Sequence, residues 1–136
     1  MTTCRTLNMS ERALQTAVVS FLRVALPEYA VFTHAPGEGR RGWKSQRDLK
    51  SSGYRKGWPD IEVLYEGRAY FLELKSAKGR VSPDQLATHA AIRRAGCECF
   101  IARSLDEVVW ALETWAIPLR AKLMPTGAIR VETDNG

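Results

Sequence analysis

Nowhere in the 136 residues does an apolar run approach the roughly 20 residues that a membrane-spanning helix needs. Met1 to Ser10 carries one Arg with no apolar block behind it, so no secretory leader is expected and the cytosol is the expected compartment. Cysteine is scarce and odd in number. Cys4 stands in the N-terminal tail, while Cys97 and Cys99 alternate along an apparent strand with both thiols on one face. That spacing excludes a disulfide framework. Histidine is scarcer still: with His34 and His89 alone, Cys97-Glu98-Cys99 has no second pair at finger spacing, which excludes a structural zinc site. Internal repeats are absent. What is present is an ordinary globular composition, 45% hydrophobic and 26% charged, long enough for one domain over residues 1–136 and too short for two.

The net charge is +5, and its placement is more informative than its size. Between Ala35 and Gly57 stand Arg40, Arg41, Lys44, Arg47, Lys50, Arg55 and Lys56 against Glu38 and Asp48. This one glycine-rich stretch therefore carries an excess equal to that of the whole chain. Concentrated cations attract a polyanion and favour phosphate contacts, although a solvated basic loop has the same composition.

Apolar spacing predicts a helix from about Ser10 to Ala25, capped by Asn8 or Ser10 and stopped by Pro27. Ala30 to Thr33 reads as a short strand, and Lys44 to Ser52 as a short helix closed by Gly53. Asp60 to Tyr65 and Arg68 to Lys75 are strand-like runs joined by Glu66-Gly67, a hairpin signal. Ser82-Pro83-Asp84-Gln85 opens a helix to Ala95 with a capping box. Cys97 to Arg103 is another strand, and Ser104 caps a helix through about Trp115. The core thus spans about 10–115, in the order α-β-β-β-α-β-α: an α/β fold, with a mixed sheet flanked by helices. Residues 116–136 form an extension in which Ala128 to Glu132 can add a strand; Trp110 and Trp115, upstream of it, read as core.

A hairpin centred on Glu66-Gly67 places Tyr65 opposite Arg68, Val63 opposite Tyr70 and Asp60 opposite Glu73. Directly opposed side chains share a face with Cβ atoms roughly 4.5–5.5 Å apart. Lys75, two residues past Glu73, projects from that face as well. Two carboxylates so close repel, and a divalent cation relieves the repulsion. The pair, a main-chain carbonyl such as that of Leu74, and waters form the hard-oxygen set that suits Mg²⁺ or Mn²⁺. An ion of this kind polarises phosphate and acidifies water, and Lys75 can hold that water or neutralise developing charge. These are the parts that phosphodiester hydrolysis requires. The alternative, a charged solvent-facing edge, conflicts with Tyr70, Leu72 and Leu74 on the other face and Phe71 on the same one, a pattern of an interior strand.

Glu11 and Gln15 lie on one face of the first helix, and Glu11 can add an acidic ligand or simply complement the helix dipole. Gln85 can point its amide at the site or serve the capping box.

Taken in order, Glu11 with Gln15, Gly57-Trp58-Pro59-Asp60-Ile61, Phe71-Leu72-Glu73-Leu74-Lys75 and Gly79-Arg80-Val81-Ser82-Pro83-Asp84-Gln85 resemble the virus-type replication-repair nuclease (VRR-NUC) domain, a branch of the PD-(D/E)xK superfamily. The resemblance covers roughly Ser10 to Leu112 and implies a mixed four-stranded sheet flanked by helices. It implies Asp60 and Glu73 as metal ligands, Lys75 as the catalytic lysine, Glu11 as the helix-borne acid and Gln85 as the glutamine that follows the core strand. Many relatives have an Asn after the first strand, where this chain reads His34-Ala35-Pro36-Gly37-Glu38; His34 is taken as a plain loop residue. Stand-alone members resemble homodimeric enzymes that resolve four-way DNA junctions, and the family's distribution implies a bacterial or viral source. The resemblance therefore implies a Mg²⁺-dependent Holliday junction resolvase, and the basic stretch supplies Arg40, Arg41, Lys44, Arg47, Arg55 and Lys56 as the expected DNA contacts. A nicking, flap-cutting or restriction-like nuclease and a non-catalytic DNA-binding module are the alternatives.

Overall fold

The fold begins with a helix whose apolar face matches its sequence period. In the computed structural model, which describes residues 9–35, 47 and 51–133, α1 spans Glu11–Ala25. The Ser10 hydroxyl caps it by accepting from the Ala13 N–H at 3.1 Å, which decides between the two expected caps. Leu14, Val18, Phe21, Leu22 and Ala25 are all buried. The four larger of these side chains each contribute about 1.5–3 kcal/mol by leaving water, which outweighs intrinsic helix propensity.

Four strands follow in one sheet: β1 (Val31–His34), β2 (Ile61–Tyr65), β3 (Arg68–Leu74) and β4 (Glu98–Ala102). Their order is β1-β2-β3-β4, with β1, β2 and β3 antiparallel in sequence and β3 parallel to β4. The hairpin register is the expected one, Tyr65 opposite Arg68 and Ile61 opposite Leu72. Glu66 (φ 48°) and Gly67 (φ 77°) both adopt positive φ, the requirement of a two-residue turn that follows strand twist. The parallel step from β3 to β4 is bridged by α2 (Pro83–Arg94), and α3 (Leu105–Thr114) follows β4.

Period-two alternation divides the sheet into two unlike faces. Ile61, Val63, Tyr70, Leu72 and Leu74 point into the main core with α1 and with Val108, Ala111 and Leu112 of α3. Phe71 points the other way, into a smaller cluster with Cys99 and with Ile92 of α2. The β3 strand is covered on both faces and flanked by strands on both edges, as its apolar pattern predicts. Trp115 packs on Tyr70 with ring centroids 5.1 Å apart, but Trp110 lies 56% exposed over Phe100, so it is not the core residue expected.

The extension forms a second sheet, β5 (Ala121–Leu123) with β6 (Ile129–Val131), which includes the expected late strand. It packs on the main core and on the end of α1. Ile117 and Ala121 enter the main core, and Arg120 donates from its backbone N–H to the Ala25 carbonyl (2.7 Å) and from Nε to the Leu26 carbonyl (2.8 Å). A cation thus meets the carbonyls left free where α1 ends. The short helix expected over Lys44–Ser52 lies largely outside the described residues; of it, Arg47 and Ser51 are helical.

Candidate active site

Asp60 immediately precedes β2, and the Ile61–Leu72 pairing continues backward to set it against Glu73. Its Oδ2 accepts from the Leu74 N–H at 2.7 Å, so the side chain bridges to β3 one residue past its expected partner. The Asp60 carbonyl is held in turn by the Ala35 N–H (2.8 Å) and lies 3.0 Å from His34 Nδ1. His34 is thus the last residue of β1, braced against the Asp60 backbone, rather than a loop histidine. Backbone pairing of three strands positions this one carboxylate.

Glu73 is 2% exposed. Burial, together with a hydrogen bond to Glu73 and its charge, pushes the Asp60 carboxyl up from 3.8 to about 7, although the Leu74 N–H pulls the other way. Burial also raises Glu73, while the Asp60 hydrogen bond and Lys75 oppose that rise. Burial and crowding thus oppose ionisation of both acids, and the Asp60 carboxyl keeps its proton to about neutrality. Such a pair offers hard oxygens and an electrostatic cost that a divalent cation relieves, so its donor chemistry fits Mg²⁺ or Mn²⁺.

Lys75 continues β3, its N–H donating to the Ala102 carbonyl of β4 at 3.0 Å. The ammonium is mostly buried and lies 3.9 Å from Glu11 Oε1 at the start of α1. Glu11 thus reaches the site through Lys75. Among the described residues no three His, Cys, Asp or Glu side chains converge as a ready-made metal cluster. The ligand roles expected of Asp60, Glu73, Glu11 and the Leu74 carbonyl are therefore taken up below as part of the proposed function.

Two residues of this neighbourhood escaped the sequence reading. His89 of α2 is fully buried, with Nε2 3.1 Å from Glu73 Oε1. Burial and the Arg93 charge lower its pKa, so near neutrality the contact is an N–H donated by a neutral imidazole rather than an ion pair. Arg103 donates from Nη1 to the carbonyls of Ser76 (2.8 Å) and Gly79 (2.7 Å), clamping the turn that follows Lys75. The helix period around Gln85 could have flagged His89, which lies four residues on and so on the same face. No local signal marks Arg103, whose partners are main-chain carbonyls more than twenty residues away.

Gln85 is committed to its helix. Its Oε1 accepts from the Ser82 N–H (2.9 Å) while its own N–H donates to Ser82 Oγ (3.1 Å), the reciprocal capping box. The capping alternative accounts for its side-chain oxygen.

Of the expected DNA-contacting residues, Arg40, Arg41 and Lys44 lie outside the described residues, and Arg47 is exposed. Arg55 and Lys56 are docked on α2. Arg55 Nε donates to Thr88 Oγ1 (3.2 Å), Thr88 Oγ1 donates to the Lys56 carbonyl (2.6 Å), and Lys56 Nζ pairs with Asp84 Oδ2 at 3.3 Å. Gly57 makes this docking possible, because φ is +83° and a Cβ there would collide with the Asp84 carbonyl and the Gln85 nitrogen. Gly57→Ala is expected to destabilise the protein by at least about 2 kcal/mol, read as a lower denaturant midpoint. An unchanged midpoint would show that the loop docks without this close approach.

Comparison with known proteins adds to this geometry. No curated protein matches the chain. Solved structures do. A "VRR_NUC domain protein" superposes with a TM-score of 0.64 at 18% identity, covering 78% of this chain and 87% of that one. A "VRR_NUC domain" superposes with a TM-score of 0.53 at 22% identity, covering 79% and 99%. At these identities the superpositions speak for the fold. The family model of the VRR-NUC domain matches residues 4–106, a span that includes both strands of the acidic hairpin, Lys75 and α2, and the chain belongs to the VRR-NUC domain family, with a nuclease-type function.

Proposed function

We propose that this protein is a Mg²⁺-dependent endonuclease that hydrolyses the phosphodiester backbone of branched DNA, acting as a homodimeric Holliday junction resolvase. The observation that carries the hydrolytic reading is the convergence of Asp60 and the buried Glu73 across the β2–β3 hairpin, beside Lys75.

Asp60 and Glu73 would hold the ion, with Glu11 and the Leu74 carbonyl as further candidate ligands. When bound, Mg²⁺ supplies positive charge that polarises a phosphate oxygen and acidifies water. The rest falls to the chain's own groups. Asp60 releases the proton that it holds near neutrality and becomes a full carboxylate. The Leu74 N–H fixes Oδ2 and so orients that carboxylate. Lys75, steadied by Glu11, donates to the attacking water or to the phosphate oxygen on which charge builds. As the bond from water oxygen to phosphorus forms, one P–O ester bond breaks and a proton passes to the departing oxygen. No oxidant or reductant is needed.

The basic stretch supports DNA as substrate. Arg40, Arg41, Lys44 and Arg47 would meet phosphates, whereas Arg55 and Lys56 first hold the loop on α2 and contribute charge from there. A junction resolvase is favoured because two sites related by a two-fold axis make paired cuts on a symmetric substrate. A panel of four-way junctions, flaps, duplex and single strands tests it. Paired symmetric nicks on junctions, with a dimer mass in sedimentation, are expected. Cutting of flaps or plain duplex in preference to junctions would replace the resolvase reading with a flap or restriction-like one. Salt-sensitive binding without cleavage in any metal would leave a DNA-binding module.

A further inference from the structure

The buried face of α2 is unusual for a core helix. Thr88, His89 and Ile92 are its buried residues, and the first two are polar. Thr88 is accounted for by the Lys56 carbonyl and Arg55. His89 is not accounted for by packing. Its ring is fully buried, and Nδ1 has no hydrogen-bond partner among the described residues. A leucine would fill similar space without stranding a nitrogen away from water, and isolation of such an atom is unfavourable. Among the described residues, the one polar contact of the imidazole is from Nε2 to Glu73 Oε1 at 3.1 Å.

That contact has a direction. For Nε2 to donate, the neutral ring must carry its proton there, leaving Nδ1 as the bare, unpaired nitrogen. The bond engages Oε1 and leaves Oε2 as the oxygen of Glu73 that His89 does not touch. Glu73 is thereby restrained from the α2 side, while Asp60, fixed by the Leu74 N–H, faces it from β2.

We infer that His89 is a positioning residue, whose Nε2–H holds the Glu73 carboxylate in the orientation in which it and Asp60 together take up the divalent cation. This rests on the hydrolytic reading above and extends it to a residue that touches neither DNA nor ion. Partners that orient metal ligands commonly change ion affinity by about 10–100-fold when removed.

Isothermal titration calorimetry of the full chain with Mn²⁺, without DNA, tests the inference. His89→Leu is expected to weaken Mn²⁺ uptake about tenfold or more. His89→Gln, whose amide nitrogen reproduces the donor, is expected to stay within about threefold of the parent. Thermal midpoints of the two variants, taken with chelator, separate orientation from folding. A leucine variant that melts no lower yet binds Mn²⁺ poorly supports the role. Parental affinity in His89→Leu, or equal loss in His89→Gln, overturns it. Should the leucine variant fail to fold, ¹⁵N spectra of the parent decide. An Nε2–H tautomer whose Nε2 resonance moves on Mg²⁺ addition is expected, and an Nδ1–H tautomer would refute the donor. If the parent itself takes up neither ion, the hydrolytic reading falls and this inference falls with it. If the parent binds and the variants do not differ, this inference alone falls.

Discussion

Lys75→Ala and Asp60→Ala are each expected to reduce metal-dependent cleavage of branched DNA by about 10²–10³-fold or more while leaving the fold intact. Loss of Lys75 removes a donor that acts where charge develops, in a site enclosed by β3, β4 and the turn held by Arg103. Its fold cost is small, because the Glu11 that it leaves behind is half-exposed and returns to water. Loss of Asp60 removes half of the acidic pair and leaves the Leu74 N–H unpartnered. Against that loss stands the relief of crowding between two carboxyls, so the melting temperature changes little. Circular dichroism and melting curves check the folding, and a junction-cleavage time course checks the activity. Parental rates in both variants would discard the assignment of this hairpin as the reaction centre.

The second large effect lies in stability and runs with pH. In chelator, stability is expected to fall as pH rises from about 4 to about 7 and then to level off. Asp60 carries its proton to about 7 when folded, against 3.8 for the ordinary carboxyl. Across that window the native state binds more protons than the unfolded chain, and rising pH favours the state that binds fewer. At 1.36 kcal/mol per unit the swing is at most about 4 kcal/mol. The upward shift of Glu73 adds in the same direction. His89, held below 6.5, acts oppositely beneath that pH by resisting protonation in the fold, and so flattens the acid side. Comparison with Asp60→Asn isolates the acidic pair, because in the variant the loss of the Asp60 charge only deepens the opposite trend of His89. The amide can still accept from the Leu74 N–H, so this variant is expected to lose most of the pH slope and to melt higher than the parent at pH 8 in chelator. Saturating Mg²⁺ is expected to raise the parent toward the variant at that pH, since ligand binding to the native state stabilises it. A flat profile for the metal-free parent, or an Asp60→Asn melting point below it at pH 8, would mean that the two acids do not crowd each other.

Much of this was legible from residue order. The two-residue turn at Glu66-Gly67 admits one register, and a strand's alternation then carries Asp60, Glu73 and Lys75 to one face before any coordinates are known. The strand pattern of β3, apolar on both sides of the pleat, likewise announced an interior strand. What local pattern left open was whichever group acts at a distance. Gln85 carried two readings with the same sequence signature, and the capping box claimed its oxygen because its partner is three residues away. Arg55 and Lys56 read as DNA contacts, and both stay exposed, yet each also binds a side chain of α2.

The chain order by itself determined the helix and strand periods, the hairpin register and the pairing of acids across it, because each depends on contacts within a few residues or on a turn of fixed geometry. Tertiary structure alone decided that His89 would meet Glu73, that Arg103 would clamp the turn after Lys75, and that the extension would close the end of α1. Those contacts join residues 16 to 94 positions apart. Their partners are a carboxylate already explained by another role or bare main-chain carbonyls, and neither leaves a periodic trace along the sequence.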